Sequence, residues 1–233
     1  MNDIRTAAIH QPNFFPWLGY FNKIARADVF IVMDDVQYQK TGSSWSNRVQ
    51  LPVAGQGKWV TAPIRRPAHG VQTLAQIEWD AQPWREKLAR TLHLHYARAP
   101  HYAEAMSLLE PLVRNPEPRL LPYNLHAVRT IAAALGLGGR FVLASAFAAQ
   151  ATGTQRLVEL VRAAGCRRYL AGGGAGGYQE DALFAAAGLE LEYQAYTHPA
   201  YPQHGATGFV PGMSIIDVLM NCGVVRTREL VTS

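Results

Sequence analysis

The apolar and polar positions near the start of the chain alternate between two periods. Thr6 to Gln11 is a short apolar run with a polar end, and the turn residues Pro12 and Asn13 follow it. Leu18, Phe21, Ile24 and Ala25 then recur at helical spacing, which predicts a helix from Trp17 to Arg26. Asp28 restarts the chain, and the unbroken apolar run Val29 to Met33 ends abruptly at Asp34-Asp35. A strand, a helix and a buried strand in this order are the βαβ unit of a parallel sheet. His10 and Asp34-Asp35 are then expected at the C-terminal ends of neighbouring strands, where open α/β sheets bind ligands.

Val36 to Arg66 mixes polar and aromatic residues around the turn-prone segment Val53 to Gly57, with a strand at Lys58 to Ile64, and predicts a loop and a hairpin. Helical periodicity dominates from Trp79 to about Gly136: Trp84 to Tyr96, His101 to Val113, and a third stretch marked by Leu125, Val128, Ile131, Ala132 and Leu135. A second α/β passage spans Arg140 to Tyr196. It has strands at Phe141 to Ala144, Arg168 to Ala171 and Leu189 to Tyr193. Thr152-Gly153-Thr154-Gln155 matches a capping box for a helix through Ala164, and a further helix is expected from Tyr178 to Ala187. Near the end, Ile215, Ile216, Leu219 and Met220 form a helical face, with Gly223 placed to end it. The expected fold is α/β: a Rossmann-like, mainly parallel sheet shared by the two ends of one domain over 1–233, with a mainly helical insert at about 79–136.

Length and composition narrow the classes. The 233 residues are 48% apolar and 17% charged, which excludes a disordered chain, a collagen, a coiled coil and a Cys-rich scaffold. No apolar run reaches the ~20 residues of a membrane helix. The start of the chain does not read as a signal peptide, and Cys166 and Cys222 read as reduced thiols. A cytoplasmic protein without membrane insertion is the expectation. The net charge of +5 rests mostly on arginine, suited to bidentate binding of carboxylate or phosphate, and no polybasic run suggests a nucleic-acid reader.

His10-Gln11-Pro12-Asn13 places a proton carrier and two amides at a strand end. Asp34 and Asp35 are consecutive, so only one is expected to face the cleft, the other capping a loop or pairing with an arginine. Spaced ligand clusters such as HxxxH or CxxC are absent, and no metal site is expected. The glycine run from Gly172 to Gly177 lies between a strand and a helix, as phosphate-binding turns do, but lacks the Walker lysine and true G-x-G-x-x-G spacing. Cys222 falls in the last turn of its predicted helix, where the helix dipole raises a thiol pKa. The bland reading is a buried thiol, and the functional one is a nucleophile partnered by His10 or His204.

Taken together, IHQPNFFPWLGYFNKIARADVFIVMDDVQYQK, SNRVQLP, KWVTAPI, RRYLAGGGAGGY, GLELEYQAY, the YPQ element and SIIDVLMNCG closely resemble the WbqC-like family over nearly the whole chain. The glycine turn departs from the usual serine-glycine form. The resemblance implies a role in surface-polysaccharide (O-antigen) or natural-product biosynthesis, as a transferase moving glycine or another aminoacyl group onto an amino sugar. The family's motif positions fall on His10, Gln11, Pro12, Asn13, Trp17, Gly19, Asp34, Asp35, Gln37, Asn47 and Arg48, and later on Gly172, Tyr178, Tyr201, Pro202, Asp217, Asn221 and Cys222.

The leading expectation is therefore an acyl- or aminoacyltransferase that forms an amide on a nucleotide-linked amino sugar. His10 would deprotonate the amine, with Asp34 or Asp35 orienting it. Gln11, Asn13 and Asn47 would hold the carbonyl oxygen, and Arg48 with the glycine turn would hold phosphate. Cys222 is a candidate acyl carrier. Gln37, Gly172, Gly173, Tyr178 and His204 complete the expected binding set. No bound cofactor is expected. The donor would be a co-substrate: a CoA or carrier-protein thioester, an adenylate or an aminoacyl-tRNA. A carrier protein is the expected macromolecular partner, and nucleic acid enters only as that tRNA. Two alternatives stand. One is a Mg2+-dependent nucleotidyltransferase or adenylating enzyme, although the second histidine of an H-x-G-H motif is missing. The other is a non-catalytic sugar-nucleotide-binding module.

Overall fold

The computed structural model describes residues 4–38, 45–53, 56–65, 70–173 and 179–233. The chain opens with β1 (Thr6–His10), α1 (Leu18–Arg26) and β2 (Val29–Val32), followed by the antiparallel hairpin β3 (Arg48–Val53) and β4 (Gln56–Thr61). Helices α2 (Trp84–Tyr96), α3 (Tyr102–Val113) and α4 (Leu120–Ala134) come next. The second α/β passage is β5 (Arg140–Leu143), α5 (Gly153–Ala163), β6 (Arg168–Ala171), α6 (Asp181–Ala186) and β7 (Glu190–Tyr193), and α7 (Ile215–Thr232) ends the chain.

Five strands form one parallel sheet in the order β5-β2-β1-β6-β7. The chain builds outward from β1 through β2 to β5, then returns to the other flank of β1 for β6 and β7. This is the Rossmann order, and its reversal lies between β1 and β6. The central strands β1, β2 and β6 are covered on both faces, which is why they read as apolar runs. Ala8, Phe30, Val32 and Leu170 pack with α1, α7 and the helical insert. Ala7, Ile9, Val29, Ile31, Tyr169 and Ala171 pack with α5 and α6. His10 shares the parity of Ala8 and faces α1.

Gly136, Gly165 and Gly188 take left-handed backbone (φ 66, 69 and 69) just past α4, α5 and α6, as helix-ending glycines do. Three expectations change. α4 begins at Leu120, because Pro122 sits in its first turn, where the missing N–H has no partner to lose. The Thr152 capping box is not made: its side chain forms no cap bond, and Thr154 Oγ1 instead accepts from the Glu180 amide at 3.1 Å. Gly223 (φ 68, ψ 178) does break the last helix, but helical backbone resumes and runs to Thr232. Among the described residues no helix is long and apolar enough to cross a membrane.

Candidate functional site

A cavity of about 640 Å3 opens at the β1/β6 reversal. Its lining includes His10 from the end of β1, Trp17, Gly19, Tyr20 and Lys23 from the start of α1, Trp45, Gly172 and Gly173 after β6, and Gln194 to His198 after β7. The sheet brings these segments together because β6 and β7 pair on the flank of β1 that β2 leaves free.

The His10 ring stands edge-on to Tyr20 (centroids 4.7 Å apart) and to Trp17 (5.8 Å). Its Nδ1 lies 3.3 Å from the Gln11 carbonyl, which also accepts from the Tyr20 hydroxyl at 2.9 Å. Donation from Nδ1 leaves Nε2 as the acceptor lone pair. Burial, and then the Lys23 charge, push the His10 pKa down to about 3, so the ring is neutral at physiological pH.

Lys23 is the residue the sequence did not flag. It is 3% exposed, and Nζ donates to the Ile9 carbonyl at 3.2 Å. Among the described residues no carboxylate pairs with it, and burial pushes its pKa down to about 8. A Cβ built on Gly172 would stand 3.6 Å from Nζ, so the glycine turn begins beside the ammonium. The available signal was a lysine four residues after Gly19 and three after Tyr20, on the helix directly following the first strand.

The walls are aromatic and held in place. Trp17 meets Trp45 at 4.8 Å, Trp45 meets Trp59 at 4.7 Å, and the Arg48 guanidinium lies 4.3 Å over Trp59. Gln194 Nε2 donates to the Gly19 carbonyl (2.6 Å) and to Asn22 Oδ1 (2.9 Å), tying the far wall to α1. Phe15 (φ 41) and Ala195 (φ 43) are the non-glycine positions with left-handed backbone among the described residues, one before Trp17 and one in the wall. Backbone of this kind costs energy and concentrates at ligand sites.

Of the expected site residues, His10, Gly172 and Gly173 meet in this cavity. Tyr178 lies outside the described residues. The two acidic groups at the end of β2 are engaged elsewhere. Asp34 accepts from the Ser145 amide (3.0 Å) and hydroxyl (2.5 Å), and Asp35 pairs with Arg156, so neither orients His10. Asn47 accepts from Tyr38 and donates to the Ala62 carbonyl, and Gln37 bridges to Thr73. Asn13 is buried, and its Nδ2 has no partner among the described residues. Next to it, Asn124 of α4 donates to both the Pro12 (2.9 Å) and Ser46 (2.7 Å) carbonyls, stitching the two loops above the cavity.

The C-terminal residues form a separate cluster. Asp217, fully buried, accepts from Tyr96 (2.8 Å) and Asn221 (3.0 Å) on one oxygen and from Tyr201 (2.6 Å) and Gln203 (3.0 Å) on the other. Burial raises its pKa against these four bonds. The His204 amide donates to Asn221 Oδ1 at 2.7 Å. Cys222 is buried, and burial followed by the Asp217 charge pushes its pKa up to about 11, so no thiolate forms at neutral pH. Neither Cys222 nor His204 lines the cavity among the described residues. Among those residues no His, Cys, Asp and Glu side chains gather as a metal site.

Strand order and cavity define an α/β protein of Rossmann type, with a cavity at the switch point of its sheet. The chain belongs to the WbqC-like protein family, which matches residues 11–229. It is 29% identical over 222 residues to the "Uncharacterized protein Rv1507c" of Mycobacterium tuberculosis (strain ATCC 25618 / H37Rv), covering 94% of this chain and 95% of that one. No solved structure matches it.

Proposed function

We propose that this protein transfers an acyl or aminoacyl group to the amine of a small acceptor, a nucleotide-linked amino sugar, bound in the β1/β6 cavity. The observation that carries it is the meeting of His10, Lys23 and the start of the glycine turn between indole walls in one pocket. Trp17 and Trp45 offer flat apolar faces for a sugar or base ring. The acceptor nitrogen attacks the carbonyl carbon of an activated donor such as a thioester. A C–N bond forms, the C–S bond breaks, the amine proton passes to His10 Nε2, and the departing thiolate takes up a proton.

Burial, and after it the charge of Lys23, make His10 a weak base. An anionic acceptor that neutralises Lys23 removes that opposition and adds its own attraction for a proton, so binding itself raises His10 toward the useful range. The thiol of Cys222 has no part in this scheme, which is direct transfer. The donor is a co-substrate from a carrier protein, CoA, an adenylate or aminoacyl-tRNA, and the cytoplasm, where these donors occur, is the proposed setting.

Incubation with glycyl thioesters and a nucleotide-linked amino sugar, followed by mass analysis, tests the reading. A glycylated acceptor formed by the wild type and lost in His10→Ala is the expected result. A glycyl adduct on Cys222 would overturn direct transfer. Tight acceptor binding without turnover would favour a sugar-nucleotide-binding module, which the low basicity of His10 also suits.

A further inference from the structure

We propose that Lys23 is the anchor for an anionic group, a carboxylate or a phosphoryl oxygen, on the molecule that occupies the cavity. The proposal deepens the reading above and rests on the same cavity as the ligand site, but not on the reaction.

Three observations carry it. First, Lys23 is an ammonium taken almost wholly out of water, and buried charges persist in proteins where a partner compensates them. Among the described residues its hydrogen bond to the Ile9 carbonyl uses one of three donors, and no carboxylate pairs with it. Second, the ammonium lines the cavity, beside Gly172 at the start of the turn after β6, so an incoming oxygen can reach it. Third, the same fold compensates its other buried charge from within: Asp217 has four side-chain donors. Burial lowers the basicity of Lys23 accordingly. With Trp17 and Trp45 on the same walls, the occupant is a molecule that joins a flat or ring-shaped part to an anion.

The sequence contains four lysines, Lys23, Lys40, Lys58 and Lys87, so their side-chain signals can be assigned by NMR in the intact protein. Wild type is titrated with inorganic pyrophosphate and, separately, with acetate, following the Lys23 Cε signal and the melting temperature. The expected result is a saturable shift of Lys23, with a higher Lys23 pKa and a higher melting temperature. A response to pyrophosphate assigns a phosphoryl group, and a response to acetate alone assigns a carboxylate. Lys23→Met should weaken binding of the responding anion by at least about 30-fold. Unchanged Lys23 signals with both anions overturn the anchor, as does equal binding by a folded Lys23→Met. Anion binding at Lys23 without transfer from any donor would leave the anchor standing and remove the transferase. Transfer by Lys23→Met at unchanged KM would remove the anchor alone.

Discussion

Two buried charges sit in this molecule under opposite arrangements. Asp217 lies where α7 meets the 201–203 segment and α2, with each carboxylate oxygen held by two donors from Tyr96, Tyr201, Gln203 and Asn221. Lys23 lies where α1 meets the strand ends, held by one backbone carbonyl and facing a cavity. A carboxylate satisfied from every side fixes loops to a helix, and little remains for a ligand to add. A cation left with spare donors at a cavity wall keeps its interaction energy for whatever arrives. The contrast separates the scaffold near the C-terminus from the site at the sheet's switch point, although both regions carry motif residues of the family.

The comparison can be broken most sharply at Asp217. Asp217→Ala strands the hydroxyls of Tyr96 and Tyr201 in a buried setting and removes an acceptor shared with two amides, and should cost about 3–5 kcal/mol, read by chemical denaturation. A loss below about 1 kcal/mol would show that the network is not structural.

The next effect concerns Lys23. Its pKa is about 8 in the folded chain against the ordinary 10.5, so between these values the unfolded chain holds a proton that the folded one has released. Its contribution to stability therefore rises as pH climbs through that window, by up to about 3 kcal/mol. Lys23→Met should be more stable than wild type at pH 7, and this advantage should shrink from pH 8 to 10.5, the raised Cys222 thiol acting alike on both chains. An advantage that does not change with pH would mean that the ammonium is not desolvated. The same variant should raise the His10 pKa, followed by imidazole NMR. That rise is partial, because burial is the larger cause of its depression.

Asn124→Ala removes the bonds to the Pro12 and Ser46 carbonyls and should cost about 2 kcal/mol, with weaker ligand binding as the loops above the cavity separate. Gly19→Ala is the gentlest test. Its Cβ would stand 2.8 Å from Trp17 Nε1 and 3.0 Å from the Tyr196 ring, so both walls must shift. Binding of the cavity ligand should fall about 10-fold while stability changes by less than about 1 kcal/mol. A larger stability loss would move Gly19 from the site to the scaffold.

Much of the frame was legible where local pattern and final environment agree. β1, α1 and β2 are found where the periodicity placed them, because both faces of the sheet are covered and α1 has one apolar side. α2 and α3 likewise match their predicted spans. α4 was clipped because a proline in a first turn looks in sequence like a stop. Thr152 makes no cap bond, and the hydroxyl engaged at this helix start is that of Thr154, which accepts from Glu180, a partner distant in sequence.

The site divides the same way. His10 and the first two glycines of the turn are legible because strand ends and strand-to-helix turns are local features. The partners of Asp34 and Asp35, Ser145 and Arg156, come from far along the chain, and no spacing rule announces them. Lys23 escaped notice because its burial is created by the segments after β6 and β7, and a helix lysine read alone looks like a solvated one.

The strand order also sets a timetable. As the chain leaves the ribosome, β1, α1 and β2 emerge together and can pair at once through Ala7–Val29 and its neighbours. The other flank of β1 stays empty until Arg168 and the strand behind it have been made. Through most of synthesis Lys23 therefore keeps its water, and its desolvation is deferred to the closing of the β1–β6 seam. A nascent chain halted before that seam has the fold's beginning but not the cavity beside Lys23.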